Sequence, residues 1–369
     1  PREELEDDNF SVKWTGYLVP DKTGEYALGC EAKYFRMKLN GEHFIANDNV
    51  HHPNKIYRDV TLNAGEPYKI EITMWDDQGD ALCHLMWAPP ETDLAAEALK
   101  TVAWSDQVIM FMGLSPRLEG EEMKVEVEGF NGGDRTSLDL PAVQRDLIQK
   151  VARTGKPMVL VLLNGSAISI NWEDKNLPAI LEAWYPGEAS GSAIADILFG
   201  DYNPSGRLPV TFYKSVEDLP PFEDYNMEGK TYRYFNGEVL YPFGHGLSYA
   251  DFSYSNLEIS TDAITSGESV EVSVDVTNNS KIDGEEVVQF YIHALDAPDA
   301  RPILDLRGFE RVKIGSGETV TVSVELSEKE LAYYNLEQEA YTLDPGTIEV
   351  FAGPSSDRQK LLMGAFTIH

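Results

Sequence analysis

Three glutamates in one short segment are the part of this sequence best suited to acid–base chemistry. Glu119, Glu121 and Glu122 lie within residues 118–123, shortly after the apolar run of residues 107–112. Neighbouring carboxylates repel each other and so raise each other's pKa values, and burial acts in the same direction. A carboxyl group with a raised pKa can donate a proton near neutral pH. A solvated acidic loop is the commoner explanation for such a cluster when nothing else accompanies it.

The elements around these glutamates predict an α/β domain. Residues 107–112 and 158–163 are apolar runs of strand length, whereas residues 141–154 and 190–199 have helical patterns. Apolar strands separated by helices indicate a parallel sheet that is covered on both faces. Since such sheets present ligand-binding loops at the carboxyl ends of their strands, we expect the glutamates at that edge.

All-β segments are predicted on both sides of the α/β domain. Short alternating runs separated by turn residues occupy residues 10–90, and this pattern returns after residue 251 as a small antiparallel sandwich. In residues 203–249 the apolar residues follow neither the helical nor the strand period, which indicates a wrapping linker or a functional loop. The predicted fold class is therefore multidomain, α/β plus all-β. Its predicted parts are a β-sandwich module over 1–90, an α/β sandwich domain with a mostly parallel sheet over 91–215, a linker over 216–250 and a C-terminal β-sandwich over 251–369.

The charge of the chain excludes some classes of partner. It has 62 Asp and Glu against 30 Lys and Arg, so the formal net charge is −32. Such a chain repels phosphate backbones and anionic lipids, which argues against nucleic-acid and membrane partners. Its 18 Tyr and 6 Trp, spread along the whole sequence, argue against disorder. We therefore expect a folded, acidic protein.

Cysteine and histidine give no metal-binding pattern. Cys30 and Cys83 belong to no zinc-type spacing, and the sequence leaves a disulfide and two free thiols equally open. His51 and His52 have no carboxylate at a matched spacing and are interpreted as part of a surface loop. No metal site is predicted.

Five short segments stand out as a set by their order and spacing. They are Gly132-Gly-Asp-Arg-Thr136, Leu138-Asp-Leu-Pro141 with Gln144, Trp184-Tyr-Pro-Gly-Glu188, Gly200-Asp-Tyr-Asn-Pro-Ser-Gly-Arg-Leu-Pro209 and Tyr241-Pro-Phe-Gly-His-Gly-Leu-Ser-Tyr249. Together they resemble the C-terminal half of the family 3 glycoside hydrolases. No single segment is decisive, whereas five in order are.

The resemblance extends to both ends of the chain. Leu306-Arg-Gly-Phe-Glu310 lies where that family has a fibronectin type III-like domain, which would be the C-terminal sandwich. Trp14-Thr-Gly, Gly24-Glu-Tyr26 and Leu39-Asn-Gly41 are similar to the protective-antigen-type (PA14) β-module that some members insert into the α/β domain. We expect this module to be N-terminally incomplete and the true N-terminus to lie far upstream.

The resemblance implies a retaining exo-β-glycosidase that removes terminal non-reducing β-D-xylose or β-D-glucose from oligosaccharides without a cofactor. Retaining hydrolysis uses two carboxyl groups about 5 to 5.5 Å apart, one as nucleophile and one as acid/base. The family's Glu-x-Glu loop matches Glu119-Gly-Glu121, so Glu121 is the expected catalytic acid/base. Glu119 and Glu122 are the alternatives, because the alignment can slip by one or two positions.

The nucleophile is expected from outside this sequence. Members of the family begin with a (β/α)-barrel that carries a nucleophilic aspartate, and no eightfold βα series is present here. A missing (β/α)-barrel polypeptide, or missing sequence, is therefore the expected partner, and a homodimer is left open. The absent nucleophile also motivates a competing hypothesis, a non-catalytic carbohydrate-binding multidomain protein.

Two further segments bear on the sugar site. Residues 227–235 mix aromatic and cationic side chains and resemble β-xylosidase members more than β-glucosidases. Their aromatic rings suit stacking on sugar faces and packing against the sandwich equally well. Asp134 and Arg135 are expected to form an ion pair that fixes a loop, with lining of the sugar site as the alternative. The substrate class and the acidic, cysteine-poor composition favour a periplasmic or secreted enzyme.

Overall fold

The computed structural model describes residues 9–48, 53–77, 81–90, 93–119, 125, 127–297 and 300–369. The chain divides into two compact units, residues 1–100 and residues 101–369. The sequence boundary between them falls inside the first helix, α1 (Leu94–Trp104). The finer boundaries at residues 215 and 250 stay predictions. No helix in the described part of the chain combines the length and apolarity needed to cross a membrane.

Before α1 the described part of the first unit is all-β, as the alternating runs predict. Its strands are β1 (Phe10–Leu18), β2 (Gly24–Ala32), β3 (Tyr34–Leu39), β4 (Glu42–Asp48), β5 (Asn54–Leu62), β6 (Tyr68–Asp76) and β7 (His84–Ala88). They form two antiparallel sheets, ordered β1-β6-β3-β4 and β5-β2-β7. Ile70, Ile72 and Met74 alternate inward along β6 and join Leu28 of β2 in one core, because successive side chains of a strand point to opposite faces.

The two cysteines meet inside this first unit. Cys30 lies on β2, and its Sγ atom is 3.7 Å from the Sγ atom of Cys83, just before β7. Both are free thiols. The contact with Cys83, together with burial, raises the pKa of the Cys30 thiol. The sequence left this pair open, and the pairing of β2 with β7 explains why residues so far apart along the chain are in contact.

The second unit begins with the predicted α/β layer. After α1 come β8 (Val108–Gly113), β9 (Phe130–Asn131), β10 (Asp134–Arg135), α2 (Ala142–Ala152), β11 (Met158–Leu163), α3 (Asn171–Asn176), β12 (Ala179–Glu182) and α4 (Ser190–Phe199). A parallel sheet of order β12-β11-β8 confirms the predicted sheet type. Leu160, Val161 and Leu162 of β11 are buried, as expected for a central strand. The short elements α3 and β12 were not predicted.

The C-terminal part is the predicted antiparallel sandwich. It is preceded by a 3-10 helix at Val216–Asp218 and by α5 (Thr231–Tyr234), the only helices among residues 203–249, all of which are described. The later elements are β13 (Phe252–Ile259), β14 (Ala263–Ile264), β15 (Val270–Asn278), β16 (Gly284–Ala294), β17 (Asp305–Ile314), β18 (Thr319–Leu326), α6 (Glu328–Leu331), β19 (Tyr333–Asn335), β20 (Ala340–Thr342), β21 (Gly346–Gly353) and β22 (Leu362–Ile368). The sheets β13-β15-β18 and β14-β22-β21-β16-β17 enclose one core, to which β15 contributes its alternate valines.

A buried ion pair joins the connecting segment to this sandwich. Arg207 donates from Nη2 to Oε1 of Glu286 on β16 at 2.7 Å, and the two side chains are 8% and 4% exposed. Arg207 also donates to the carbonyl oxygens of Ser205 and Gly206. The backbone of Leu208 is hydrogen-bonded to that of His245 and Gly244, so the last two of the five sequence motifs hold each other in place.

Removing one member of this pair should destabilise the fold strongly. Arg207→Ala leaves the Glu286 carboxylate buried and unpaired, and we expect a loss of about 3 to 5 kcal/mol in the free energy of unfolding. The double variant Arg207→Met/Glu286→Leu should lose clearly less, because no charge is left buried. Chemical denaturation measures both.

The control is Lys214→Ala, which breaks the exposed Lys214–Glu238 pair and should cost less than about 1 kcal/mol. A loss for Arg207→Ala no larger than that of the control would contradict this assignment.

Candidate active site

The carboxyl ends of the three parallel strands form one edge of the sheet. Leu163 pairs with Gly113, and Leu162 pairs with Glu182, so β8, β11 and β12 end side by side. Gly113 has φ 143°, and a Cβ there would lie 2.0 Å from the carbonyl oxygen of Leu163. Only glycine therefore fits this close approach. The side-chain amide of Gln144 on α2 bonds both the N–H and the carbonyl of Gly113, at 2.8 Å each.

The loops after the three strands meet at Glu119. Tyr185, in the loop after β12, donates its hydroxyl to Oε2 of Glu119 at 2.5 Å. Ser166, in the loop after β11, donates to Oε1 at 3.2 Å. Gly165 leaves room for the Tyr185 ring, since a Cβ there would lie 2.7 Å from it. Both carboxylate oxygens of Glu119 are therefore used in joining the loops.

Arg135 is the cation of this cluster. It follows the tight turn at Gly132 and Gly133, whose φ values of 63° and 101° allow the two-residue hairpin between β9 and β10. Its Nη1 donates to Ser166 Oγ and to the carbonyl oxygen of Ala167, both at 2.8 Å. Burial lowers the pKa of Arg135, and the nearby Glu119 opposes that shift.

The predicted ion pair between Asp134 and Arg135 is wrong. The two residues are neighbours on β10, and successive side chains of a strand point to opposite faces. Asp134 is exposed, whereas Arg135 is half-buried and bonds Ser137, Ser166 and Ala167. These bonds agree with the other part of the prediction, in which the arginine holds a loop. Nη2 of Arg135 is buried and has no hydrogen-bond partner among the described residues.

Glu182 is a second carboxyl group at this edge. Its Oε2 accepts from Nδ2 of the fully buried Asn164 at 3.2 Å, and its Oε1 accepts from the backbone N–H of Trp184 at 3.0 Å. Burial raises the pKa of Glu182 to about 7 against these two hydrogen bonds. Trp184 has φ 55°, an unusual value for a residue other than glycine. Glu182 thus holds the turn that directs Tyr185 towards Glu119.

The contacts described above include neither the predicted acid/base, Glu121, nor one of its alternatives, Glu122. Glu121 and Glu122 lie outside the described residues, as do His51 and His52. Glu119, the other alternative, lies at the strand-end edge as expected.

Sequence reasoning missed three members of the cluster, namely Ser166, Glu182 and Tyr185. A signal was available for Ser166, because it follows the predicted apolar strand β11, whereas the rule about carboxyl ends was applied only to β8. Glu182 and Tyr185 end or follow β12, which is too short to be recognised from the sequence. Tyr185 also belongs to one of the five motifs.

Residues 227–235 pack against other parts of the second unit. The ring of Tyr232 stacks on Phe243 at 4.2 Å and meets Tyr291 of β16 edge-on at 5.9 Å. Phe235 meets Tyr213 edge-on at 5.1 Å. Of the two uses left open by the sequence, these contacts correspond to packing.

Comparison with known proteins decides the family. Residues 12–249 match the glycosyl hydrolase family 3 C-terminal domain, and residues 286–356 match a fibronectin type III-like domain. The chain belongs to glycoside hydrolase family 3. The expected family and fold class are thereby confirmed, whereas the PA14 assignment of the first unit stays a prediction.

Three similar proteins show how much of a family 3 enzyme the chain spans. A xylan 1,4-beta-xylosidase of Xylanibacter ruminicola is 37% identical over 351 residues, which are 95% of this chain and 40% of that protein. A periplasmic beta-glucosidase of Salmonella typhimurium is 38% identical, over 74% of this chain and 35% of its own length. The crystal structure of a beta-glucosidase from Kluyveromyces marxianus with glucose superposes with a TM-score of 0.74 at 28% identity, covering 100% of this chain and 46% of that one. The family 3 chain thus spans less than half of each.

The raised pKa of Glu182 predicts a pH dependence of stability. A carboxyl group whose folded pKa lies above its ordinary value of 4.5 is destabilising once ionised, so stability falls as the pH rises from about 4.5 through about 7. The full loss is about 3 kcal/mol. Glu182→Gln cannot ionise and should lack this loss, as measured by chemical denaturation at pH 4 and pH 8.

The matched control is the exposed Glu188, for which Glu188→Gln should keep the wild-type pH profile. Parallel profiles for wild type and Glu182→Gln would show that Glu182 is not a buried, titrating group.

Proposed function

We propose that this chain supplies the acid/base side of the active site of a retaining exo-β-glycosidase. The observation that carries the proposal is the convergence of three strand-end loops on Glu119, at the start of the acidic segment. Ligand sites in sheets of this type lie outside the carboxyl ends of the strands. An edge rich in carboxyl groups, with a buried guanidinium, suits the protonation of a glycosidic oxygen.

Glu121 is the proposed acid/base, with Glu122 as the alternative by sequence. An acid/base must exchange a proton with the substrate, whereas both carboxylate oxygens of Glu119 accept hydrogen bonds from Tyr185 and Ser166. Glu119 is therefore better suited to anchoring the segment.

The proposed mechanism needs no cofactor. The Glu121 carboxylic acid protonates the leaving oxygen while an aspartate of the barrel attacks the anomeric carbon. The Glu121 carboxylate then takes a proton from the water that hydrolyses the glycosyl–enzyme intermediate, which restores the starting protonation state. Arg135 and Glu182 are the ionisable groups that the described part of this edge contributes beside Glu119.

The proposed partner is a (β/α)-barrel polypeptide, or segment, that carries the nucleophile. Exposed apolar residues of the α/β layer support the need for a covering surface. On the edge strand β8, Ile109 is 42% exposed and Phe111 is 51% exposed, and Trp104 at the end of α1 is 92% exposed. Apolar surface of this kind marks interaction sites.

The proposed substrates are oligosaccharides with terminal β-D-xylose or β-D-glucose. The similar proteins carry the names of xylosidases and glucosidases, and one of them is called periplasmic. A periplasmic or secreted location is proposed on the same ground. The seven-stranded first unit, most of which lies inside the region matched by the family, is proposed to be the PA14-type module.

The test uses the chain together with its barrel. Glu121→Gln should lower kcat/KM for glycosides with poor leaving groups by about 10²- to 10⁴-fold, since proton donation then fails, and spare activated aryl glycosides much more. Added azide should restore turnover of the aryl glycoside and give the β-glycosyl azide, because azide needs no general base. Chromatography and mass spectrometry identify that product.

Glu119→Gln and Glu122→Gln are the matched controls and should show no azide product. Equal loss on both substrate classes for Glu121→Gln would contradict the assignment. Glycan binding without activity, both with and without the barrel, would support the non-catalytic alternative.

A further inference from the structure

A cleft of about 490 Å³ lies at one end of the C-terminal sandwich. Part of the segment carrying α5 lines one side, and the other lining residues come from β16, β17, α6, the β19–β20 hairpin, β21, β22 and the loops between them. Its volume is in the range of small-ligand sites, which are about 300 to 1,000 Å³. None of the residues assigned to the candidate active site lines it.

Two exposed tyrosines form the most open wall of this cleft. Tyr334 and Tyr341 face each other across the β19–β20 hairpin and are 50% and 74% exposed. Their rings meet edge-on, with centroids 5.4 Å apart and planes at 75°. At least half of each side chain is exposed, so both offer ring surface to a ligand. Tyrosine offers an apolar face with a polar tip, which suits molecules that carry C–H faces and hydroxyl groups together.

The hairpin that carries the two rings is fixed by its own hydrogen bonds. Asn335 accepts at Oδ1 from the N–H groups of Glu337 and Gln338, and donates from Nδ2 to the hydroxyl of Tyr333 at 3.0 Å. That hydroxyl donates in turn to Asp344 at 3.1 Å. The hairpin backbone that carries the rings is thereby ordered before a ligand arrives, which reduces the entropy cost of binding.

Charged side chains of both signs line the interior of the cleft, and each of the three arginines among them is paired with an aspartate. The charged side chains among the described lining residues are three arginines and three aspartates. Arg233 and Arg307 both donate to Asp305, at 3.2 and 2.6 Å. Arg301 donates to Asp344 at 3.2 Å and lies over the ring of Tyr333. Such pairs present hydrogen-bond donors and acceptors side by side, which suits a ligand that carries neighbouring hydroxyl groups.

We propose that this cleft is a binding site for a neutral oligosaccharide, separate from the candidate active site. Tyr334 and Tyr341 stack on sugar rings, and the arginine–aspartate pairs bond their hydroxyls. A charged ligand would have to break these ion pairs. A purely apolar ligand would remove water from the paired groups without replacing its hydrogen bonds, which is unfavourable. Only the choice of β-1,4-linked xylose and glucose oligomers as probes rests on the proposed function.

The test is a binding measurement that involves no catalysis. Isothermal titration calorimetry of the full chain with xylohexaose and with cellohexaose should show binding of at least one of them. Tyr334→Ala and Tyr341→Ala should each weaken it about tenfold, which corresponds to about 1.4 kcal/mol. Tyr334→Phe keeps the ring and should bind like wild type. The control is Tyr225→Ala, which removes an 86% exposed tyrosine that does not line the cleft.

Two results would overturn the proposal: no heat with either oligomer at millimolar concentration, or unchanged affinity in both alanine variants. Circular dichroism and thermal melting establish that each variant is folded, and Tyr334→Phe guards against a loss that is only structural. Glu121→Gln should leave this binding unchanged, so failure of the cleft and failure of the proposed active site give different results.

Discussion

Parallel pairing of β8, β11 and β12 is the constraint on which the rest of the site depends. Neighbouring strands lie about 4.8 Å apart, so three parallel strands must deliver their following loops to the same edge. Gly113 makes the first of these turns sharp enough, because the Leu163 carbonyl leaves no space for a side chain there. The hydrogen bonds from Tyr185 and Ser166 to Glu119 then tie the loops together. A side chain that is bonded by two neighbouring loops is better fixed than one held by its own loop alone.

The electrostatics of this edge follow from the same arrangement. Glu119 accepts two hydrogen bonds, whereas Glu182 is buried enough that its pKa rises to about 7. Arg135 interacts electrostatically with Glu119 and bonds Ser166, so it supplies positive charge at this edge. Two carboxyl groups in different environments are a common basis for acid and base roles in one site. At this edge, Glu119 and Glu182 are the two described carboxyl groups with such different environments.

Much of the fold could be predicted from the sequence, because apolar residues recur with the period of a helix or a strand wherever one face of that element is buried. The strand at residues 158–163 and the helix at residues 190–199 were predicted with the bounds that the structure has. β12 was missed because its four residues are too few to show a period. The ion pair of Asp134 with Arg135 was wrong because sequence adjacency was taken as proximity of side chains, which a strand does not allow.

The candidate site was less predictable, because its members meet only through tertiary structure. Ser166 and Tyr185 contact Glu119 across 47 and 66 positions of the chain. No local pattern indicates such contacts. The contact of Cys30 with Cys83 has the same cause, since it depends on the register of two strands.

The most direct test of the central claim is a crystal structure of this chain with its barrel and a bound, non-hydrolysable substrate analogue. We predict that the Glu121 carboxyl group lies about 5 to 5.5 Å from an aspartate carboxyl group of the barrel, on the other side of the anomeric carbon. A Glu121 side chain in open solvent, with another carboxyl group in that position, would contradict the account.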